Sequence, residues 1–467
     1  MKFVQHYLDC LSHASYFIGD ETTGRAVVVD PQRDIDEYVR DAEELGMRIE
    51  WVIETHFHAD FLSGHLELAA ATGARIGFGP GAEPEFDAHI FSDGERISLG
   101  EVTLEIRHTP GHTPESISIV VYDSPDALPG PGDEQGRPWG VLTGDTLFVG
   151  DVGRPDLLAS IGYTREELAA MLYDSLRTKL LTLPDETRVW PAHGAGSACG
   201  KNLSTETSST IGEQKRTNYA LQPMSREEFI AAVSEGQPAA PGYFVYDAVL
   251  NRRRRDLLEP EAPPALSVDQ VLEAVADGAV VLDTRDAEHF AAGHLAGSIN
   301  VGLDGRFAEY AGSVVEPGTP IVLVAEPLRE TEARIRLARI GFDTVVGHLA
   351  DLDLVKADRP ELIQRATRLD AEALVERLRD GDIQLVDVRN PGETALGVIP
   401  GAVTIPLAQL RGRVDELDPA RATVVYCAGG YRSSVGASLL RYLSFADVAD
   451  LEGGYGAWQQ VAAPVQV

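Results

Sequence analysis

Residues 279–303 and 383–407 repeat one pattern. AVVLDTRDAEHFAAGHLAGSINVGL is echoed by IQLVDVRNPGETALGVIPGAVTIPL, with Asp283 opposite Asp387 and Gly297 opposite Gly401, each pair 104 positions apart (387 − 283 and 401 − 297). Both copies continue into an apolar run, IVLVAEP at 321–327 and TVVYCAG at 423–429, and then into a helical stretch. Strand, crossover, strand and helix in series specify a small parallel α/β domain, because parallel strands cannot be joined by a hairpin. The offset is too long for a solenoid repeat, so the second half is a duplicated domain. With 467 residues and roughly 150 per domain, the first half is left for at least one more.

That first half alternates short β-rich runs with helical periodicity. Residues 26–30 (AVVVD), 51–56 (WVIETH), 117–122 (ISIVVY) and 139–145 (WGVLTGD) read as strands, and 35–46 (IDEYVRDAEELG) as an amphipathic helix closed by glycine. Mixed in this way they predict an α/β domain with buried sheets. Residues 128–138 (LPGPGDEQGRP) predict an exposed loop within it. Two stretches read as boundaries: 252–267, where four arginines run into a proline-rich segment, and more weakly 356–369. The resulting domains are 1–250, 265–360 and 368–467.

Composition removes several function classes. The chain carries 40 Lys and Arg against 73 Asp and Glu, a formal charge of −33, and such a polyanion is repelled by nucleic acid and by anionic membrane surfaces. The arginine run is accordingly expected to be a solvated linker. No apolar run approaches the roughly 18 residues of a membrane span, and the start MKFVQHYLDC lacks the apolar core of a secretory signal. Three scattered cysteines, Cys10, Cys199 and Cys427, make no disulfide framework. The expectation is a soluble cytoplasmic protein with free thiols, with a homo-oligomer left open.

The first chemical constellation is histidine-rich. His56, His58 and Asp60 follow an apolar run, where alternate residues at a strand tip point the same way. His112 in HTPGHTPES, Asp145 in TGDTLF and His193 in PAHG are further candidate ligands, while His6, His89, His289, His294 and His348 are read as ordinary core or surface residues. His65 and His108 are read as structural.

The ordered series HxHxD, GH, GD and AHG resembles the metallo-β-lactamase superfamily over roughly residues 1–245. The resemblance implies an αββα sandwich and a metal centre. In the two-metal hydrolases of that superfamily the first motif ends in Asp-His; here the second position is Phe61, which has no lone pair to offer. One metal is then favoured over two. His56, His112 and Asp145 match the two-imidazole, one-carboxylate triad of non-haem Fe(II), although zinc fits the same atoms. The stretch 143–157 (TGDTLFVGDVGRPDL) resembles the persulfide dioxygenase branch, whose enzymes oxidise a thiol-bound sulfane sulfur to sulfite. That implies one Fe(II) per chain on His56, His112 and Asp145, with a low-molecular-weight thiol persulfide and O2 as substrates. It also implies Arg154 as a cation for a substrate carboxylate, the alternative for Arg154 being a surface ion pair. Residues 193–215 resemble the variant of this branch fused to rhodanese modules. They suggest Cys199 as a catalytic or sulfur-accepting thiol facing the iron site, the alternative being a packing role.

The second constellation is a thiol. Cys427 in YCAGGYRSS sits between a strand and a helical run, where helix N–H groups stabilise an anionic sulfur. Gly429 and Gly430 let the loop curl around the sulfur, and Arg432 adds fixed positive charge. Residues 368–467 resemble the rhodanese family through LVDVRNPGE, GVIPGAVTIPL and CAGGYRS. This implies that Cys427 cycles as a persulfide and interconverts sulfite and thiosulfate. Asp387 and Arg389 are read as structural. The first copy has Ala325 where Cys427 aligns, so it cannot carry sulfur and is read as an inactive spacer. The whole predicts a dioxygenase–sulfurtransferase fusion in sulfide detoxification. The alternatives are a zinc thioester hydrolase of the glyoxalase II type carrying sulfurtransferase modules, and a sulfur-relay docking protein.

Overall fold

The structure, a computed structural model, describes all residues except 131–132, 134, 158–161, 382 and 463–467. Three positions of the loop at 128–138 thus lie outside the described residues. The chain divides into two compact units, Met1–Gln237 with Phe244–Leu258, and Pro238–Tyr243 with Glu259–Val467.

The first unit holds two six-stranded sheets. One runs in order β1 (Lys2–Leu8), β2 (His13–Asp20), β3 (Arg25–Val29), β4 (Arg48–Ile53), β5 (Arg75–Phe78), β6 (His89–Ile90). The other contains β7 (Arg96–Ser98), β8 (Thr103–His108), β9 (Ile117–Tyr122), β10 (Gly140–Gly144), β11 (Arg188–Pro191) and β12 (Ser209–Thr210), also in sequential order. Side-chain alternation explains the layering. Val27 and Val29 of β3 face the second sheet and join Ile106, Ile119 and Leu142 in a shared core. Ala26 and Val28 point the other way, onto Tyr38 and Ala42 of helix Asp36–Leu45. On the far side, Val120 and Val141 meet Leu172 of helix Arg165–Ser175 and Phe229 of helix Arg226–Ser234. Both faces of each sheet are covered, which is why the strands read as continuous apolar runs. The unit is an αββα sandwich.

The second unit contains two five-stranded sheets of the same plan, and every pairing within them is parallel. Val280–Asp283 and Ile321–Val324 lie side by side in the first, as Gln384–Asp387 and Thr423–Tyr426 do in the second. The repeat extends to buried charge. Arg285 Nη2 lies 2.6 Å from Asp283 and donates to the Gly293 carbonyl; Arg389 Nη2 lies 2.6 Å from Asp387 and donates to that of Gly397. Each pair ties the end of a strand to the crossover that follows. The weaker boundary at 356–369 is structured: Ile363–Gln364 pairs antiparallel with His294–Leu295. Among the described residues no helix is long and apolar enough to cross a membrane.

His294 makes the second unit acid-sensitive. It is buried, stacks on Phe290 at 3.7 Å and uses Nδ1 on the Phe290 carbonyl. Burial pushes its pKa down to about 4 from an ordinary 6.5. Between those values the unfolded chain binds the proton and the folded chain does not, so stability is complete above about 6.5 and falls as pH drops toward 4. The loss by pH 4 is on the order of 3 kcal/mol. Denaturant titrations of the full chain from pH 7 to 4 should show it, and His294→Gln should flatten that part of the profile.

Candidate active sites

The metal-motif residues sit where strands of both sheets end. Asp30, just after β3, takes the Thr55 N–H at 2.7 Å and the Thr55 hydroxyl at 2.9 Å. That hydroxyl, its proton spent on Asp30, accepts from His56 Nδ1 at 3.0 Å. His112 Nδ1 donates to the Arg154 carbonyl at 2.9 Å, and His193 Nδ1 to the Ser12 carbonyl at 3.0 Å. Since carbonyls only accept, the Nδ1 atoms of His112 and His193 carry protons, so in the neutral rings the lone pairs lie on Nε2. Burial, together with His58, His112 and His193, holds His56 well below the usual imidazole range, so its Nε2 is unprotonated as well.

These lone pairs converge on Asp145, which follows β10. Its Oδ2 lies 3.4 Å from His112 Nε2 and 3.9 Å from His56 Nε2, and its Oδ1 lies 3.5 Å from His193 Nε2. Among the described residues neither carboxylate oxygen has a hydrogen-bond partner, nor has Nε2 of His56 or His193, and all are buried. Acceptors turned on one another in a dry pocket repel unless a cation sits among them. His56, His112 and Asp145 form one such ligand group, and the residues present fit a metal ion. Gly153 allows the close packing there: a Cβ on it would fall 2.0 Å from the Asp145 carbonyl and 3.1 Å from His112 Nδ1.

His58 lies outside this triad, in a second possible ligand group with Asp60 and His193. Its Nε2 lies 3.1 Å from Asp30 and 3.5 Å from Glu54, and Glu54 also reaches His65 at 3.3 Å. Although burial works against it, the Asp30 and Glu54 carboxylates hold His58 well above the ordinary range. Phe61 is buried, its ring 4.0 Å from His13 and 4.4 Å from His58. Asp60 faces His193 across 3.3 Å. Cys199 is buried in a group with Asp145 and His193, and burial with the Asp60 and Asp145 carboxylates pushes its thiol well up. Arg154 is buried too, its fork on Asp156 at 2.7 and 2.8 Å and its third nitrogen on the Ala198 carbonyl. The guanidinium thus braces the segment that carries Cys199.

Residues 252–258, expected to be a solvated linker, are instead part of the first unit. Asn251 donates to the carbonyls of His58 and Phe61 at 2.8 and 2.9 Å and accepts from the Ser63 N–H at 2.9 Å. Arg252 lies over the Phe57 ring, and Arg255 joins Arg33 on the buried Glu67. Arg252 and Arg255 are drawn in because the metal-motif segment offers buried acceptors and an aromatic face, while Arg253 and Arg254 stay exposed. Asp30, Glu54, His13 and Asn251 were not singled out from sequence. Asp30 had a signal, an acid ending an apolar run; Asn251 had none.

In the second unit Cys427 follows strand Thr423–Tyr426 and is buried. The Gly430 N–H points at its sulfur from 3.1 Å, and the Ser433 hydroxyl lies 3.8 Å away. Gly430 has φ +106° at the start of helix Tyr431–Tyr442, a conformation that L side chains rarely adopt. Gly429 is exposed at the loop's tip, with open space around it. Arg432 is held bidentate by Glu393, both contacts 2.7 Å. Ala325 follows Ile321–Val324 as Cys427 follows its strand, and lines a cavity of about 430 Å³.

Comparison with known proteins matches this architecture. A metallo-beta-lactamase superfamily model matches residues 8–130 and a rhodanese-like domain model residues 267–350 and 370–461. The human (Homo sapiens) protein "Persulfide dioxygenase ETHE1, mitochondrial" is 31% identical over 220 residues, 46% of this chain and 74% of that protein. A "Beta-lactamase hydrolase-like protein" of Xylella fastidiosa (strain 9a5c) is 28% identical over 250 residues; the match takes in 47% of this chain and about half, 52%, of that protein's length. The crystal structure of a metallo-beta-lactamase from Staphylococcus aureus subsp. aureus COL superposes with a TM-score of 0.65 at 34% identity, over 74% of this chain and 98% of that one. The chain belongs to the metallo-β-lactamase superfamily, with ETHE1 persulfide dioxygenases among its homologues and two rhodanese-like domains in its C-terminal region.

Proposed function

We propose that this chain is an iron persulfide dioxygenase joined to a sulfurtransferase, acting in the cytoplasm in sulfide detoxification. Its domains are the dioxygenase (1–250), a Cys-less rhodanese-like domain (265–360) and a sulfur-carrying rhodanese domain (368–467). The observation that carries the first activity is the convergence of Nε2 atoms of His56 and His112 on the unpartnered Asp145 carboxylate. One Fe(II) per chain, held by His56, His112 and Asp145, would supply redox chemistry toward dioxygen and the persulfide sulfur. The net reaction takes a thiol persulfide, O2 and water to the thiol, sulfite and a proton.

The chain's own groups have distinct tasks. Thr55 and the Arg154 carbonyl orient the two imidazoles. Phe61 fills the space beside His13 and His58 and offers no ligand atom there. Arg154, steadied by Asp156, is assigned to the substrate side, and Cys199 to accepting sulfur from the same pocket. At the other site Cys427 carries the outer sulfur of a persulfide. The lone pair of sulfite attacks that sulfur, the S–S bond to Cys427 breaks, and its electron pair returns to the cysteine as thiosulfate leaves. The Gly430 N–H faces the returning charge, and Gly429, Gly430 and Arg432 frame the incoming anion.

Oxygen uptake with glutathione persulfide, followed together with sulfite, tests the first activity. About one sulfite per O2 is expected; an inert, zinc-loaded protein would contradict it. The second reading, a zinc thioester hydrolase, draws on the close approach of Asp60 and His193, 3.3 Å apart, which could hold another ion.

A further inference from the structure

The Cys-less domain touches the sulfur site. The helix Tyr431–Tyr442 begins at the Cys427 loop and is seated on that domain. Ser434 donates to the Asn300 side chain at 2.7 Å, and the Asn300 N–H donates to Ser438 at 2.9 Å. The Tyr431 hydroxyl donates to the Gly302 carbonyl. A Cβ at Gly302 would fall 3.1 Å from the Tyr431 ring, so the contact depends on a bare backbone. Arg411 closes the far side on the Val314 carbonyl at 2.6 Å. A mere spacer needs none of these bonds to the one helix that shapes the thiol loop.

One side chain of this surface has an unspent group. Tyr310, on helix Phe307–Val314, is half-buried with its ring 5.4 Å from that of Tyr431. Its hydroxyl makes no hydrogen bond to any described residue. Burial pushes it up to about 12, Glu309 and Cys427 push the same way, and Arg432 and Arg306 oppose them. The hydroxyl is therefore a protonated donor at neutral pH, within the fields of both Cys427 and Arg432.

We propose that Tyr310 is a specificity residue of the Cys427 site, donating a hydrogen bond to a small sulfur oxyanion that arrives as acceptor beside Arg432. The Cys-less domain is thereby one wall of the transfer site. The proposal rests on the sulfurtransferase reading of Cys427. Sulfite brings three oxygens and two negative charges; the Gly430 N–H is directed at the cysteine sulfur and leaves those oxygens to other donors. A hydroxyl at the rim selects an oxyanion over a nucleophile that has no oxygen, such as cyanide. In the transfer itself the tyrosine keeps its proton.

The test loads Cys427 of the full chain with glutathione persulfide, verifies the added sulfur by intact mass, and follows discharge by sulfite and by cyanide in separate single turnovers. Tyr310→Phe is expected to slow discharge by sulfite about tenfold, the effect of one hydrogen bond to a charged acceptor, and discharge by cyanide less than twofold. Tyr310→His, which keeps a ring and a donor, is expected to recover much of the sulfite rate. An unchanged sulfite rate in loaded Tyr310→Phe, or an equal fall with both acceptors, would overturn the assignment. If Tyr310→Phe does not fold, Tyr310→His carries the same comparison against wild type: a fall with cyanide as large as with sulfite would refute it. A wild-type Cys427 that takes up no sulfur would instead refute the sulfurtransferase reading beneath it.

Discussion

Asp145→Ala is expected to leave the purified chain without iron and to lower persulfide-dependent oxygen uptake by more than about a hundredfold, since even outer groups that only orient ligands cost about 10–100-fold. Asp145 is the carboxylate on which His56, His112 and His193 converge, so no other described side chain replaces it. Asp145→Asn separates this from a folding defect. In the metal-free chain the carboxylate oxygens have no donors among the described residues and face imidazole nitrogens; an amide supplies donors to them at nearly the same volume. The metal-free Asn variant should thus melt no lower than the metal-free parent while failing to hold iron, the usual opposition between stability and function at a site built for an ion. Metal analysis and thermal melts after chelation check both parts. Sulfur exchange at Cys427 should be unchanged.

Cys427→Ser is expected to abolish thiosulfate–sulfite sulfur exchange, because a hydroxyl cannot hold a transferable sulfur at this position. Oxygen uptake should stay within about twofold, since the triad and the thiol belong to units with separate cores. Isotopic exchange between sulfite and thiosulfate measures the loss. Exchange persisting in this variant would assign the activity to another thiol, Cys199 or Cys10.

Much of this could be read from sequence, for identifiable reasons. Elements show themselves by period: the run AVVVD became β3 with both faces buried, and the 104-residue repeat became two parallel sheets in which Asp283 and Asp387 hold equivalent arginines. The metal motif was legible because its spacing follows strand ends. Side chains that act across long stretches of chain were not. Asn251 bonds to backbone nearly two hundred positions away, and nothing in its neighbourhood, four arginines and a proline-rich tail, marks that task. The arginine run reads as solvated because charge runs usually are; Arg253 and Arg254 are exposed, but Glu67 takes up Arg255 and the Phe57 ring Arg252. Sequence leaves Arg154 between a substrate carboxylate and an ion pair; in the structure its fork lies on Asp156, two residues along. Tyr310 lies in the domain that has Ala325 in place of a cysteine, and the packing of Tyr431 draws it toward the thiol loop.

The decisive measurement is the metal content of the full chain purified without oxygen. A single iron per chain, lost on replacing Asp145 and insensitive to replacing Cys427, is what a pocket closed by the Phe61 ring should give. Two zinc ions per chain would mean that Asp60 and His193 recruit a second cation past that ring, and the dioxygenase account would fall.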